Sequence, residues 1–262
     1  MDPASAVPLT RREVLHGTVL AGLAAVPVPA GPPGCAPPPG FPTHVELRRS
    51  RYENWAGTTR AEPIWACAPR TADEVAEVVT WAAGAGYRVR PRGYAHGWSP
   101  LTVTPGTTCD TRAALLDTTG HLTDVDLPAP GVVRAQCGAS LDTVLEFLQA
   151  RGYGLTAAPA PGDLTVGGAL AIDAHGTGIP AAGEQPVPGD MYGSLSNRVL
   201  TLTAVVWDAP AGRYVARTFT RTDPECAALL VHVGRALVTE VTLAVREDYH
   251  LRCVSRDRKS VV

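Results

Sequence analysis

The 262-residue sequence predicts an α+β fold in two lobes. Three observations carry that reading. Short apolar strands alternate with capped helical segments. A break at Ala129-Pro130-Gly131 divides the pattern into lobe one, residues 43–128, and lobe two, residues 129–250. Each lobe also holds one glycine-rich turn, placed at a strand end in the first and at a helix start in the second.

In lobe one, Ile64 to Ala68 forms a short strand closed by Pro69-Arg70. Thr71-Ala72-Asp73-Glu74 is a capping box, with Glu74 placed to reach back to the Thr71 N–H. Val75, Val78, Val79 and Ala82 then follow helical spacing. Gly84 and Gly86 end the helix, and Tyr87 to Arg90 begins the next strand. That strand delivers a loop at residues 90–101. There Gly93 and Gly97 permit positive φ, so several backbone N–H groups can converge in an anion-binding nest. Arg92 adds a planar cation suited to phosphate, and His96 follows as a nucleophile on a short leash. Leu115 to Val125 is expected as short strands and turns.

In lobe two, Val132 to Gly138 is a strand, and Ser140 caps a helix whose Leu141, Val144, Leu145 and Leu148 share one face. Gly152 stops it. Thr165 caps a further helix opened by Gly167-Gly168 and continued by Ala169, Leu170 and Ile172. Two glycines there let a ligand press against backbone amides at the positive end of the helix. His175-Gly176-Thr177-Gly178 ends it in a tight turn. Val199–Trp207 and Tyr214–Thr220 read as a hairpin. Asp223-Pro224 opens a helix through Leu230, and Gly234 to Leu243 holds the last strand.

Apolar content of 45% and charged content of 18% are those of a globular protein. A net charge of −2 gives no reason to expect nucleic acid or an anionic membrane as partner. No apolar run is long enough to span a bilayer. The six cysteines form no C-x-x-C pair, so no zinc or redox motif is indicated. Their spread suggests buried small side chains, with one disulfide left open. His121 and His232 have no partners at ligand spacing, and solvated or core roles are expected for both. Oligomeric state is not specified.

The ends read differently from the middle. Thr10-Arg11-Arg12-Glu13-Val14-Leu15 before the apolar run Gly17–Val28 predicts a twin-arginine-type signal over residues 1–30, hence a secreted or periplasmic protein. Residues 31–42 are a Pro/Gly-rich linker. Residues 251–262 lose the preceding pattern and are expected to be the non-native end of a truncated chain.

From Arg90 the sequence reads R-P-R-G-x-x-H-G-W-S. This resembles the flavin-attachment loop of the vanillyl-alcohol oxidase / p-cresol methylhydroxylase flavoproteins, in particular the covalently flavinylated (type II) bacterial cholesterol oxidases. The T-V-G-G segment at 165–168, His175-Gly176 and Y-G-S-L-S-N at 192–197 resemble further pieces of that family. The resemblance implies a two-lobed PCMH-type FAD-binding domain with FAD as cofactor. Pro91, Arg92, Gly93, Tyr94, Ala95, Gly97, Trp98 and Ser99 would then form the loop that cradles the diphosphate, with His96 bonded to a methyl carbon of the ring. Pro161, Gly162, Leu164, Thr165, Val166, Gly167, Gly168, His175 and Gly176 would lie along the diphosphate and isoalloxazine, and Val241 beside the adenine. A neutral imidazole nitrogen can make such a bond near neutral pH.

Relatives with two covalent links carry a cysteine where Asp163 stands, which implies a single link here and a turn role for Asp163. In relatives a second domain covers the flavin and supplies catalytic side chains. It has no counterpart in this sequence, so no catalytic acid or base is assigned. The implied function is an FAD-dependent oxidase of a small-molecule alcohol, of sterol type, with oxygen as acceptor. A sugar- or lactone-type oxidase and a non-catalytic FAD-binding fragment are the alternatives.

Overall fold

A computed structural model describes residues 35–178, 183, 185 and 190–249. The signal at 1–30 and the tail at 251–262 lie outside the described residues. The chain divides into two compact units, Met1–Cys35 and Ala36–Val262, and every named element belongs to the second.

The first sheet contains β1 (Glu46–Glu53), β2 (Arg60–Ala68), β3 (Arg88–Arg92) and β4 (Ala113–Asp117), in the order β1-β2-β4-β3. β1 and β2 are antiparallel, whereas β4 runs parallel to both β2 and β3. Between β2 and β3 lies α1 (Ala72–Ala85). Thr71 caps it by accepting the Glu74 N–H at 3.1 Å. The Glu74 carboxylate reaches back to the Arg70 N–H, one residue before the predicted donor. Gly84 lies inside the helix, and Gly86, at φ 71°, ends it in the left-handed conformation that favours glycine.

The second sheet is antiparallel, in the order β5-β6-β10-β8-β9: β5 (Val125–Ala129), β6 (Val132–Gln136), β8 (Val199–Asp208), β9 (Arg213–Thr220) and β10 (Leu237–Ala244). A small pair, β7 (Tyr153–Gly154) with β11 (Arg246–Glu247), lies beside it. The break read at Ala129–Gly131 is the turn of the β5–β6 hairpin, since Ala129 pairs with Val132. Passage between the sheets falls instead in residues 118–124.

α2 (Leu141–Gln149) is capped by Ser140, which accepts the Thr143 N–H at 3.0 Å, and buries Leu141, Val144 and Leu148 as the spacing predicts. α3 (Val166–Ala171) is capped by Thr165, which accepts the Gly168 N–H at 3.1 Å. α4 (Cys226–Leu230) is shorter than the sequence suggests, because Asp223 spends its carboxylate on the Thr220 N–H of the preceding turn.

Val133, Ala135, Leu141, Val144, Leu148, Val166, Leu170, Leu202, Val241 and Leu243 form the core of the second sheet and its helices. α1 connects the two sheets. Its Val75 and Val78 pack in one cluster with Cys67 and Leu116 of the first sheet and Val205 of the second. Burying side chains of this size stabilises by roughly 1.5–3 kcal/mol each, so the sheets are held together by apolar contact. Thr80 adds a polar tie, accepting the Tyr214 N–H at 3.0 Å. Cys67, Cys137 and Cys226 are buried free thiols, and burial pushes the Cys67 thiol up to about 12.

Candidate functional site

Both glycine-rich segments open onto one cavity. Its volume is about 130 Å³, and it is partly open to solvent. The loop after β3 supplies Pro91, Arg92, Gly93, Tyr94, Ala95, His96 and Gly97. The segment opening α3 supplies Leu164, Thr165, Gly167 and Gly168.

Gly93 is required for space rather than for its torsion. A Cβ there would lie 2.3 Å from Thr165 Oγ1 and 2.8 Å from its Cγ2. The two segments therefore meet backbone to side chain, a contact no residue larger than glycine allows. The expected left-handed torsions at Gly93 and Gly97 are absent, and the positive φ falls on Ala95, at 60°. Asp173 (φ 57°) and Val233 (φ 44°) are the other such non-glycine residues among the described ones. Ala95 and Val233 line the cavity, and Asp173 follows Ile172, which also lines it. Torsions of this kind cost about 1–3 kcal/mol each and gather where a site over-determines them.

Other parts of the chain pin the loop. Asn54 Nδ2 donates to the Gly97 carbonyl at 3.0 Å, and the Trp55 N–H donates to the Ala95 carbonyl at 2.9 Å. Thr118 donates both its N–H and its hydroxyl to the Arg92 carbonyl, each at 3.1 Å. The backbone N–H groups of Gly93 to Trp98 find no acceptor among the described residues, which leaves them free to donate to a bound anion. Arg92 departs from its expected role. Its Nη1 donates to Ser50 at 3.0 Å and its guanidinium lies beside the Tyr52 ring, so part of its fork is already engaged.

His96 is held from two sides. The Trp55 ring stacks on its imidazole at 5.4 Å between centroids, 19° from parallel. Asp163 Oδ2 stands 3.1 Å from its Nε2. Asp163, read as a turn residue, thus also contacts His96.

Several expected residues lie off the cavity wall. Trp98 is exposed and tilts against Trp55, and Ser99 bonds through its carbonyl to the Leu101 N–H. Pro161 is exposed, while the Gly162 carbonyl accepts the Asp142 N–H at 2.9 Å. Val166 is fully buried in the core. His175 is exposed, its Nδ1 3.0 Å from the Gly176 carbonyl, and Gly176 packs so closely on Ala158 that a Cβ would lie 2.5 Å from its carbonyl oxygen. Val241 pairs with Ala135 and Leu202 in mid-sheet and is buried. Strand alternation turns its side chain into the core, and Val238 and Ala236 line the cavity.

The wall also includes residues the sequence did not single out: Thr118, Cys137, Ala171, Ile172, His232, Val233 and Gly234. Ala171 ends α3, and the others come from turns whose place depends on sheet order, so no local motif marks them. His232 is buried, as expected of a core histidine. Its Nδ1 accepts the Ala236 N–H at 3.3 Å, which puts the ring proton on Nε2, and that atom has no partner among the described residues. Burial pushes its pKa down to about 4. Because the unfolded value is near 6.5, the unfolded chain takes the proton first as pH falls. Stability is therefore full above about pH 6.5 and falls toward pH 4, by up to about 3 kcal/mol. Urea titrations of wild type and His232→Leu between pH 7.5 and 4 test this. The variant is expected to show a shallower loss.

The family model described as an FAD binding domain matches residues 63–209. The chain belongs to that family. It is a PCMH-type FAD-binding domain, and the α+β fold read from the sequence is the one found. A structure described as a solvent-stable cholesterol oxidase is 49% identical, with a TM-score of 0.77 over 81% of this chain. A histidine-to-alanine variant of the cholesterol oxidase of Brevibacterium sterolicum is 39% identical, with a TM-score of 0.76 over 82% of this chain. An L-gulono-1,4-lactone dehydrogenase of Mycobacterium tuberculosis is 28% identical over 194 residues, 73% of this chain. The chain spans about 40% of the length of each of the three.

The cavity of this FAD-binding domain fits a dinucleotide. The unpaired N–H run at Gly93–Trp98 suits a diphosphate. Gly93 packs against Thr165, and Gly167 against Cys137, where a Cβ would stand 2.9 Å from the cysteine Cβ, so both glycines draw backbone close to the cavity wall. The wall is mainly apolar, as a flavin ring requires. No described helix is long and apolar enough to cross a membrane.

Proposed function

We propose that this chain is the cofactor domain of an exported flavoprotein that oxidises a secondary alcohol of sterol type, with FAD bonded to His96. The observation that carries this reading is the meeting of the two glycine-rich segments at one apolar cavity, with His96 in its wall. The identity to cholesterol oxidases, 39–49%, exceeds the 28% to the lactone dehydrogenase and supports the sterol class. Export rests on the arginine pair at residues 11 and 12 ahead of the apolar run.

FAD, when bound, supplies the hydride-accepting ring. The chain's own residues bind and orient it. The N–H groups of residues 93–98 take the diphosphate, Thr165, Gly167 and Gly168 leave the backbone open to it, and His96 fixes the ring. Hydrogen-bond donors aimed at a diphosphate from a rigid loop also need no reorganisation when it arrives.

A second reading, a lactone-type oxidoreductase, is favoured by the Mycobacterium tuberculosis relative. Acid precipitation of protein expressed with FAD, followed by peptide mapping, tests the bond. A yellow pellet and a flavin adduct on the His96 peptide are expected, and flavin found wholly in the supernatant refutes the link. Anaerobic addition of cholesterol or of L-gulono-1,4-lactone separates the substrate classes. Bleaching of the flavin by the sterol alone is the expected result.

A further inference from the structure

We infer that Asp163 is a positioning residue for the bond between His96 and the flavin: its carboxylate keeps the ring proton on Nε2, so that Nδ1 is the attacking nitrogen. This rests on the covalent reading above.

Three constraints act on one imidazole. Asp163 Oδ2 lies 3.1 Å from Nε2. Trp55 covers a face of the ring. The left-handed torsion at Ala95 sets the backbone from which the ring departs. Asp163 is itself fixed on both sides. The carbonyl of Gly162 accepts the Asp142 N–H and that of Leu164 accepts the Leu141 N–H, each at 2.9 Å. Gly162 also packs against the Asp142 carboxylate, where a Cβ would lie 1.7 Å from Oδ1. As an ion pair the contact contributes little to stability, since Asp163 is 62% exposed. Its value lies in orientation. A carboxylate facing one ring nitrogen selects the tautomer protonated there and leaves the lone pair on the other.

Nδ1 gives its electron pair to the flavin methyl carbon, and a C–H bond of that methyl breaks. The methyl proton and the Nε2 proton leave to solvent, and the ring takes up two electrons. Dioxygen removes those electrons and, with two protons, leaves as hydrogen peroxide. Positive charge builds on the imidazole as Nδ1 is alkylated, and the carboxylate at Nε2 offsets it and relays the Nε2 proton.

The test uses the full chain produced without FAD and then saturated with it, so that differences in affinity do not enter. Wild type is expected to gain acid-stable flavin with time. Asp163→Asn is expected to do so at least tenfold more slowly, and Asp163→Ala similarly, with added formate restoring part of the rate. Nitrogen NMR of histidine-labelled protein before FAD addition provides an independent reading, with His96 assigned by its alanine variant. A protonated Nε2 and a bare Nδ1 are expected in wild type.

Asn and Ala variants that flavinylate at the wild-type rate overturn the inference, as does a wild-type His96 protonated on Nδ1. Wild type that takes up FAD reversibly and never covalently overturns the covalent reading itself. Should neither variant fold, the wild-type tautomer decides.

Discussion

Gly138→Ala is expected to lower the stability of the domain by about 3 kcal/mol or more. An added Cβ at this position would lie 1.9 Å from the Thr118 carbonyl oxygen and 2.7 Å from that of Leu122. Both are backbone atoms, so no side-chain rotation relieves the clash. Neither segment is free to withdraw. The Gly138 N–H donates to the Leu122 carbonyl at 2.8 Å, and Thr118 holds the Arg92 carbonyl with its N–H and hydroxyl. The strain reaches the passage between the sheets and the root of the flavin loop together.

Urea denaturation measures the loss. Gly84→Ala is the matched control. It lies inside α1, has no positive φ, and an added Cβ meets nothing within 4 Å. A gain of about 0.5–1 kcal/mol is expected there, from the lower chain entropy of alanine. An equal and small effect at the two positions would show that the Gly138 backbone can move aside.

Gly93→Ala is expected to weaken FAD binding about 100-fold, equivalent to about 2.7 kcal/mol. Its Cβ would press on Thr165, which is buried and whose Oγ1 caps α3. Either Thr165 rotates and uncaps the helix, at about 1 kcal/mol, or the loop lifts from the second lobe and its N–H groups separate from the glycines at 167 and 168. Titration with FAD followed by equilibrium dialysis reads the affinity. Adding Thr165→Ala removes both the hydroxyl oxygen and the methyl group that the new Cβ would meet at 2.3 and 2.8 Å. Recovery of part of the affinity in the double variant, more than additivity allows, would localise the effect to this contact. An unchanged affinity in the single variant would mean that the cavity does not depend on this closure.

Local chemistry was the legible part. Thr71, Ser140 and Thr165 each cap the helix expected of them, because a cap needs only its own short sequence. The strand before the loop and the hairpin at Val199–Thr220 were legible for the same reason. Features decided by distant packing were not. Ala129-Pro130-Gly131 looks the same as a hairpin turn or as a lobe break, and only the pairing of Val125 with Ala135 distinguishes them. Gly93 is a glycine for the sake of Thr165, a neighbour far along the chain, so reading it as a torsion was natural and incorrect. The side chain of Val241 turns into the core by alternation along β10, and the expected adenine contact is one of its backbone. Between the core and solvated roles open to His232, only the packing of the turn before β10 on α3 decides: the Val233 N–H donates to the Ala171 carbonyl.

The ring lying over His96 belongs to Trp55, one of only five tryptophans in the chain. An indole in that position is a natural optical reporter. Its emission should dim as a yellow chromophore settles within a few ångströms, long before any turnover is measured. Because Trp98 leans on the same indole, substituting Trp98 with phenylalanine would remove its contribution from the signal. Arrival of the cofactor could then be followed in a stopped-flow trace without any added label.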